Sequence, residues 1–359
     1  MLSVVIAGGG TGGHLFPGLA VARELIRRRQ DAVVSFAGTS RGIEARVVPR
    51  EGFALDCIRS GGLKGKSVLD RLRGAALIPL SLWDAWRVVA ARRPHVVIGV
   101  GGYSSGPVVL AAAARGIPTV VLEQNAVPGL TNRMLAPIVK AAAVTFEATL
   151  VYFGSKAFVS GNPVRTEFFE AEQRGVEAAS EVHVLVFGGS QGAHAINMAM
   201  IAAAPTLSAA APRLRLVHQT GARDADAVRE AYRHAHLDAV VEPFLYDMGR
   251  QVAQADLVVC RAGATTLAEI AAARRPAILV PLPTATDDHQ RRNAESVAAA
   301  GGAEVLLQAD LSGERLAASI LRLAGDVEGR ARMAAAAGTL ARPDAARAIV
   351  DRVLELACA

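Results

Sequence analysis

The sequence is poor in cysteine and in aromatic residues, and it has no long apolar run. Its three cysteines, Cys57, Cys260 and Cys358, stand far apart and lack the C-x-x-C spacing of a local zinc or redox site. Apolar segments such as residues 108–122 are interrupted by charge, glycine and proline, so none is long enough to cross a bilayer. No basic region precedes the first strand-like segment. We therefore expect a reduced cytosolic setting, without a disulfide framework, a secretory signal or a membrane-spanning helix.

The composition is that of a folded protein whose charge is unevenly distributed. Of the 359 residues, 52% are apolar and 20% are charged, which suits two domains with sizeable cores. Residues 1–150 hold 18 basic and 9 acidic side chains, whereas the whole chain carries a net charge of only +6. A basic first half suggests an anionic partner, such as nucleic acid, phosphate or acidic lipid. Because aromatic residues are not interleaved with these charges in a stacking pattern, we expect no nucleic-acid partner.

Short β-branched runs that end in glycine and lead into alanine-rich segments recur along the chain. Continuous apolar strands that alternate with helices predict parallel sheets covered on both faces, and hence an α/β protein with two doubly wound domains. The GNP tripeptide at 161–163 predicts a turn or loop between ordered segments. We expect domains at 1–163 and 164–342, with a final helix in 343–359 that could pack back on the first domain. The predicted strands are residues 3–7, 32–37, 96–100, 119–122, 182–187, 214–218, 257–260 and 277–280.

The first glycine loop, residues 8–14, reads GGGTGGH. Gly8, Gly10 and Gly13 satisfy the G-x-G-x-x-G spacing of dinucleotide-binding proteins. A nicotinamide dehydrogenase also needs an acid at the end of the second strand to bind the ribose, and residues 36–40 contain none. This disfavours a dehydrogenase. What remains is a helix N-terminus whose N–H groups attract an anion, most often phosphate.

Two further glycine loops follow strands, at 101–107 (GGYSSGP) and at 188–193 (GGSQGA). A single loop is equally well explained as a tight turn without a ligand, but three loops that each hold Ser or Thr favour phosphate binding. The first two loops lie in the same predicted domain and could grip a diphosphate between them. We assign four residues to that diphosphate: Gly10, Gly102, Tyr103 and Ser104.

A fourth loop, residues 261–269, follows the strand that ends at Cys260. We expect Thr265 or Thr266 to cap a helix that has Glu269 in its first turn. Glu269 then either completes a capping box or accepts hydrogen bonds from ribose hydroxyls, and the sequence leaves both open.

Six motifs occur in one order along nearly the whole chain, a combination far more specific than any single glycine loop. They are GGTGGH at 9–14, GGYSSGP at 101–107, EQN at 123–125, GNPVR at 161–165, GGSQGA at 188–193 and DDHQ at 287–290. Together they closely resemble the MurG family, the bacterial N-acetylglucosaminyltransferases of peptidoglycan synthesis. The resemblance implies a GT-B fold, in which two Rossmann-like domains face a cleft. It also implies transfer of N-acetylglucosamine from UDP-N-acetylglucosamine to the 4-hydroxyl of MurNAc-pentapeptide on undecaprenyl diphosphate, with inversion at the anomeric carbon. We expect no cofactor.

Carried over residue by residue, the resemblance also assigns the donor-binding residues. It places Thr11, Gly12, Gly13, Asn125 and Gln290 at the donor sugar, Arg165 and Ser190 at the donor phosphates, Leu245, Ala264, Thr265, Thr266, Leu267 and Ala268 at the uridine, and Glu269 at the ribose. The diphosphate predicted for the first two glycine loops would then belong to the lipid-linked acceptor.

This chain departs from the family motif at one position. Many relatives have histidine before Glu-Gln-Asn, whereas this chain has Leu122, so that histidine is not essential here. A base must receive the proton of the acceptor hydroxyl as the new bond forms. His14 is our leading candidate, with a role in capping or orienting its loop as an equal alternative, and Glu123 is the second candidate.

The departing UDP needs stabilisation of its developing charge. Helix N-termini at Ser190 and Thr265, together with Arg165, can supply that stabilisation without a metal. No Asp-x-Asp motif follows a strand directly, since residues 224–226 read as the solvated start of a helix. We therefore expect a metal-independent enzyme.

A basic and apolar segment, residues 63–93, indicates the surface with which the chain would bind the membrane that carries a lipid-linked substrate. It carries seven basic and two acidic residues and both tryptophans of the chain. Basic groups beside interfacial aromatics suit a helix that lies on anionic lipid, which predicts a peripheral protein on the cytoplasmic face of the cell membrane. The alternative is an ordinary helix packed on the core. The predicted membrane patch is Lys64, Lys66, Leu77, Leu80, Trp83 and Trp86.

Two other functions fit part of the sequence. A nucleotide-sugar epimerase shares the two-domain architecture, but it has no lipid acceptor and no use for the tryptophan patch. A non-catalytic nucleotide-sugar sensor would keep Ser190 and Glu269 and lose His14.

Overall fold

The computed structural model describes residues 1–61, 77–170, 181–189, 192–210 and 213–358. The chain forms two compact units. Unit 1 contains Met1–Val164 together with Arg342–Ala359, and unit 2 contains Arg165–Ala341. Each unit is built on a parallel sheet with helices between successive strands, which confirms the predicted α/β class and the two doubly wound, Rossmann-like folds.

The described part of unit 1 forms a seven-stranded sheet in the order β3-β2-β1-β4-β5-β6-β7. The strands are β1 (Leu2–Gly8), β2 (Ala32–Gly38), β3 (Ala54–Cys57), β4 (Val96–Gly101), β5 (Thr119–Glu123), β6 (Ala141–Val144) and β7 (Ala157–Val159). The helices are α1 (Gly12–Arg28), α2 (Glu44–Arg50), α3 (Ile78–Arg92), α4 (Ser105–Ala114) and α5 (Leu130–Leu135).

Strand β1 shows why the apolar runs form central strands. Val4 and Ile6 are fully buried on one face of the sheet, and Val5 and Ala7 are fully buried on the other. Each completely buried valine or isoleucine stabilises the fold by about 1.5–3 kcal/mol, so β1 cannot lie at an edge without a large loss. Residues 2–7 of β1 pair in parallel register with residues 32–37 of β2.

Unit 2 repeats this architecture with six described strands in the order β10-β9-β8-β11-β12-β13. The strands are β8 (Glu181–Phe187), β9 (Arg213–Gln219), β10 (Ala239–Glu242), β11 (Leu257–Cys260), β12 (Ala277–Leu279) and β13 (Ala303–Val305). The helices are α6 (Glu167–Glu170), α7 (His194–Ser208), α8 (Ala225–His234), α9 (Met248–Gln254), α10 (Ala264–Ala272), α11 (His289–Ala299), α12 (Gly313–Gly325) and α13 (Val327–Thr339).

The last helix, α14 (Ala345–Cys358), belongs to unit 1 and packs against α1. Ile349, Val350 and Val353 are fully buried in the same core cluster as β1 and α1. Arg28 of α1 also forms an ion pair of 2.5 Å with Asp351. The amphipathic spacing of α14 is therefore used to cover one face of the first sheet.

The strand orders place all four glycine loops at ligand-binding positions. Strand order reverses direction between β1 and β4 in unit 1, and between β8 and β11 in unit 2. Open parallel sheets bind ligands outside the carboxyl ends of the strands at such a reversal. The loops after β1 and β4 therefore share one candidate site, and the loops after β8 and β11 share another. Within the described ranges, no helix is long and apolar enough to cross a membrane.

Candidate active site

The first two glycine loops of unit 1 are in direct contact. The N–H of Gly9 donates to the carbonyl of Gly101 at 3.3 Å. Gly102 has φ +81°, and a Cβ at this position would collide with the carbonyl of Gly9. Glycine is thus required for both the backbone conformation and the close approach of the loops.

His14 lies in the first turn of α1 and packs on the second loop. Its Nδ1 is 3.3 Å from Oγ1 of Thr11. A Cβ built on Gly101 would be 2.7 Å from Cδ2 of His14 and 3.0 Å from Nε2, so the ring lies directly against the Gly101 backbone. The ring is half-buried. The structure therefore brings the predicted base to the junction of both loops.

Glu44 at the start of α2 was missed by the sequence analysis. Its carboxylate is fully buried and accepts the N–H of Gly10 at 2.7 Å. It also accepts the N–H and the hydroxyl of Thr39, at 2.9 and 2.7 Å. The Gly10 N–H, which we assigned to a diphosphate, is therefore engaged by a side chain of the same unit. No local motif marks Glu44, because its partners come from separate segments.

Glu123, the second candidate base, is buried at the end of β5 and surrounded by donors. Its Oε1 accepts from the backbone N–H and the side-chain amide of Asn125, at 3.0 and 3.2 Å. Its Oε2 accepts from the N–H of Gly129 at 3.0 Å and from Nδ2 of Asn132 at 2.8 Å. Burial raises the pKa of this carboxyl, against the effect of these hydrogen bonds. The arrangement favours a carboxylate that holds the Asn125–Gly129 segment in place.

The remaining residues of the second loop lead into α4. Tyr103 is exposed, and its carbonyl accepts the hydroxyl of Ser60 at 2.8 Å. Ser104 is buried at the N-cap position of α4. Gly102, Tyr103 and Ser104 thus approach a helix N-terminus, which favours anions through the helix dipole and the unpaired N–H groups of its first turn.

In unit 2, the third glycine loop follows β8. The carbonyl of Gly189 accepts the N–H of Gly192 at 2.9 Å and the side-chain amide of Gln219 at 2.8 Å. Gly192 has φ +72°, and a Cβ there would collide with the carbonyl of Thr220. Ser190, the predicted phosphate ligand, lies outside the described residues. The loop ends at α7, which begins at His194.

The fourth loop corrects one expectation about helix capping. Helix α10 begins at Ala264 with Gly263 as N-cap, so Thr265 and Thr266 lie inside its first turn and neither is its N-cap. Glu269 is further along the helix, and the capping-box interpretation is wrong. The reason is that Gly263 itself takes the extended N-cap conformation, two residues before Thr265 and three before Thr266.

Glu269 faces Arg165, the first residue of unit 2. Nη2 of Arg165 is 3.5 Å from Oε1 of Glu269, and Nη1 is 3.0 Å from Oε1 of Glu167. The guanidinium also lies over the ring of Phe168, 5.0 Å from its centroid. Burial raises the pKa of Glu269 to about 7, despite the opposing effect of Arg165. The predicted ribose and phosphate ligands are therefore neighbours in the fold.

Other predicted donor ligands follow β10 and β12, Leu245 on a loop and Gln290 at the start of a helix. Leu245 is half-buried between exposed Phe244 and Tyr246, whose rings contact edge-on at 4.9 Å. Asp247 caps α9 by accepting the N–H of Arg250. Gln290, in the first turn of α11, accepts the N–H of Leu282 through Oε1 at 3.0 Å. Thr265, Thr266, Ala268 and Gln290 are all partly exposed.

Asp224 differs from the solvated helix start that the sequence predicts. It precedes α8 but is buried, and it accepts from Nδ2 of Asn197 at 2.8 Å and contacts Nδ1 of His194 at 3.0 Å. Asp226 alone is solvated, with its side chain 98% exposed. Within the described ranges, no three His, Cys, Asp or Glu side chains are placed to share a metal ion.

The predicted membrane patch is described only in part, because Lys64 and Lys66 lie outside the described residues. On α3, Leu80, Trp83 and Trp86 are 41, 60 and 42% exposed, while Leu77 just before the helix is half-buried. The opposite side of α3 buries Ser81, Ala85 and Val89. Arg115 stacks over Trp86, 4.8 Å from the ring centroid. Packing on the core thus accounts for one face of α3 and leaves the tryptophan face exposed.

Comparison with known proteins covers nearly the whole chain. Residues 4–144 match the model of the glycosyltransferase family 28 N-terminal domain, and residues 183–349 match that of the C-terminal domain. A protein of Anaeromyxobacter sp. (strain K) is 48% identical over 99% of this chain and 93% of its own length. One of Myxococcus xanthus (strain DK1622) is 45% identical over 99% and 93%. Both are named UDP-N-acetylglucosamine–N-acetylmuramyl-(pentapeptide) pyrophosphoryl-undecaprenol N-acetylglucosamine transferase.

Solved structures show the same relationship. The crystal structure of Acinetobacter baumannii MurG is 32% identical, with a TM-score of 0.82 over 99% of this chain and all of that chain. The UDP-GlcNAc 2-epimerase of Neisseria meningitidis is 14% identical with a TM-score of 0.69 over 99% of this chain and 100% of that one, and this likeness shows the fold alone. The chain therefore belongs to glycosyltransferase family 28 and, within it, to the MurG family that its six motifs resemble.

Proposed function

We propose that this chain transfers N-acetylglucosamine from UDP-N-acetylglucosamine to the 4-hydroxyl of MurNAc-pentapeptide on undecaprenyl diphosphate, the step from lipid I to lipid II. The observation that carries the proposal is the 48% identity, over 99% of the chain, with relatives named for this activity. The chemistry of the two candidate sites supports this reaction.

Unit 2 binds the UDP part of the donor. Its two glycine-loop helices, α7 and α10, begin at the reversal of strand order, where their N-termini favour the diphosphate. Arg165 supplies a full positive charge to the phosphates, and Glu269 accepts hydrogen bonds from the ribose hydroxyls. Leu245, Thr265, Thr266 and Ala268, which are partly exposed, would contact the uracil, whereas Ala264 and Leu267 of the same helix are buried. Ser190 would add a hydroxyl at the phosphates, and Gln290 would contact the sugar.

Unit 1 positions the reacting hydroxyl and takes its proton. His14 is the base of the proposal because its imidazole ring is half-buried at the junction of the two glycine loops, and imidazole is the side chain that most often serves as a general base. Glu123 holds the Asn125 segment through four hydrogen bonds, so its carboxylate oxygens are already engaged. Thr11, Gly12, Gly13 and Asn125 would contact the donor sugar.

Inversion at the anomeric carbon follows from a single displacement. The acceptor oxygen forms the new glycosidic bond, the anomeric carbon–oxygen bond to UDP breaks, and the hydroxyl proton passes to His14. The negative charge on the departing UDP is met by Arg165 and by helix N-termini, so the chain's own groups perform the task that a metal performs in other transferases.

The lipid-linked acceptor is met at the membrane surface. The exposed face of α3, with Leu80, Trp83 and Trp86, would enter the interfacial region of anionic lipid on the cytoplasmic side, with Lys64 and Lys66 contributing charge. The chain would thus act as a peripheral protein.

The test is incubation of the full chain with radiolabelled UDP-N-acetylglucosamine and lipid-linked muramyl pentapeptide, in the presence of EDTA. We expect the label to enter the lipid fraction. Label that appears in a free sugar epimer would identify an epimerase. Label that stays in the unreacted donor, although the chain binds UDP measurably, would identify a nucleotide-sugar sensor. Transfer that stops with EDTA and returns with magnesium would contradict the metal-independent mechanism.

A further inference from the structure

Glu44 places a fully buried negative charge beneath the first glycine loop. The carboxylate accepts one N–H from that loop, at Gly10, and an N–H and a hydroxyl from Thr39, which follows β2. It thus ties the loop after β1 to the loop after β2. None of the predicted donor or acceptor ligands accounts for a carboxylate at this position.

The backbone around Glu44 is built to accommodate it. Gly9, Gly38 and Gly42 surround the side chain, and a Cβ on Gly9 would lie 2.5 Å from the carboxyl carbon of Glu44. A Cβ on Gly38 would lie 2.7 Å from Cγ, and one on Gly42 would collide with the carboxylate. Three glycines, from the first glycine loop, the end of β2 and the loop after β2, therefore enclose the Glu44 side chain closely, which leaves little room for any longer or branched side chain.

The charge has a consequence for what the loop can bind. Glycine loops between a strand and a helix ordinarily attract phosphate, because their N–H groups point at the ligand. Here the Gly10 N–H is already held by an anion of the protein. The hydrogen bonds outweigh burial and keep the pKa of Glu44 below its usual value, so the group is charged at neutral pH. A phosphate next to it would face like-charge repulsion in a partly desolvated site.

We propose that Glu44 is the positioning residue of the first glycine loop and that its charge keeps phosphate off this loop, so that the loop takes an uncharged sugar. The acceptor diphosphate is then held by the second loop, at Gly102, Tyr103 and Ser104, and Gly10 is removed from the set of diphosphate ligands. The identities of the sugar and the diphosphate rest on the proposed function, whereas the exclusion of phosphate does not.

The experiment measures binding of inorganic pyrophosphate to the full chain by calorimetry, with UDP at saturation so that the donor phosphate site is filled. The variant is Glu44→Gln, which keeps the size of the side chain and removes its charge. The matched control is Glu355→Gln on α14, whose side chain is 63% exposed and pairs with Arg352. We expect Glu44→Gln to bind pyrophosphate at least about fivefold more tightly than the wild type, as loss of a nearby like charge implies, and Glu355→Gln to match the wild type.

Equal or weaker pyrophosphate binding by Glu44→Gln would overturn the exclusion of phosphate. The affinity for UDP should be the same in all three proteins, because UDP is bound by unit 2. A wild-type chain that binds no UDP and transfers no sugar would contradict the proposed function, and the same comparison made without UDP would still decide the role of Glu44.

A second variant separates charge from position. Glu44→Asp keeps the charge but withdraws the carboxylate by one methylene, so it should still exclude pyrophosphate while releasing Gly10. We expect its pyrophosphate affinity to equal that of the wild type and its kcat for transfer to fall about tenfold, as a displaced loop carrying His14 implies. Wild-type turnover in Glu44→Asp would contradict the positioning role, and this variant decides that role even if Glu44→Gln does not fold.

Discussion

Arg165 and Glu269 form an ion pair in unit 2, with Nη2 3.5 Å from Oε1, while the same guanidinium contacts Glu167 at 3.0 Å. The proposed phosphate ligand and the proposed ribose ligand are therefore coupled to each other. The burial that raises the pKa of Glu269 makes this coupling sensitive to pH near neutrality.

Uridine should bind more tightly as the pH rises from 6 to 8. Because the pKa of Glu269 is raised to about 7, the carboxyl is mostly protonated below that pH and ionised above it, and the ionised form is the stronger acceptor for ribose hydroxyls. The expected gain is about tenfold, measured by NMR titration with uridine, which carries no titrating phosphate. Glu269→Gln should remove the dependence, and Glu295→Gln, a half-exposed acid of the same unit that pairs with Arg291, should keep it. A wild-type affinity that does not change with pH would exclude Glu269 as the ribose ligand.

His14→Asn should lower kcat by about 10²- to 10⁴-fold, the usual contribution of a general base, and leave the affinity for UDP unchanged. The control is His95→Asn, an exposed histidine of unit 1 at the amino end of β4, away from the glycine loops. Turnover is measured with the lipid-linked acceptor at saturating donor. Retention of wild-type kcat in His14→Asn would leave His14 only the alternative role of orienting its loop.

Glu123→Gln should lower the free energy of unfolding by about 2 kcal/mol. An amide nitrogen would replace one oxygen and face donors such as the Gly129 N–H, which leaves a buried polar group without an acceptor. Urea denaturation against Glu147→Gln, an exposed acid of the same unit, measures the difference. The opposite result, full stability with kcat as low as in His14→Asn, would make Glu123 the base.

Gly101→Ala should displace the ring of His14 and reduce turnover. Gly101 has φ +99°, and its new Cβ would come within 2.7 Å of the imidazole. Gly116→Ala is the matched control, because Gly116 has φ +73° and its Cβ would meet nothing within 4 Å. Each substitution should cost at least about 1 kcal/mol of stability from backbone strain, while only Gly101→Ala should lower kcat. Equal kcat values for the two variants would show that the contact between His14 and Gly101 does not contribute to catalysis.

Trp83→Ala should weaken binding to vesicles that contain anionic lipid, because its side chain is 60% exposed on the free face of α3. A change of about fivefold in the partition coefficient is expected from the loss of one interfacial aromatic. Tyr246→Ala removes an aromatic of unit 2 that is 92% exposed and should have no effect. Binding should also fall with added salt, and charge reversal at Lys64, Lys66, Arg71 and Arg73 should reduce it further. Vesicle binding that is unchanged both by Trp83→Ala and by the charge reversal would contradict the proposal that this surface binds the membrane.

The sequence predicted the central strands well because their burial on both faces leaves a continuous apolar run, as in β1 and β8. Five described strands of three or four residues, β3, β6, β7, β10 and β13, were missed, since so short a segment has little period of its own and is fixed by its neighbours. The six motifs predicted the family, because glycine loops are local in sequence.

Glu44 illustrates what local patterns do not contain. Its side chain is enclosed by Gly9, Gly38 and Gly42, and the contact exists only after β1 and β2 have paired. Asp224 is similar: it is buried, and its partners His194 and Asn197 are on α7, 30 and 27 residues away. The wrong prediction of the N-cap at Thr265 has a different origin. Glycine and threonine are both acceptable N-cap residues, so sequence preference alone does not decide at which of the three positions the helix begins.

The contribution of α14 to unit 1 bears on the order in which the molecule is assembled during translation. Ile349, Val350 and Val353 complete a core whose other members are encoded before residue 164. The ribosome must therefore synthesise residues 165–341 before unit 1 can bury the face of its core that α14 covers. Until then, α1 presents an uncovered apolar surface to solvent and to chaperones, while unit 2 already has every strand it needs.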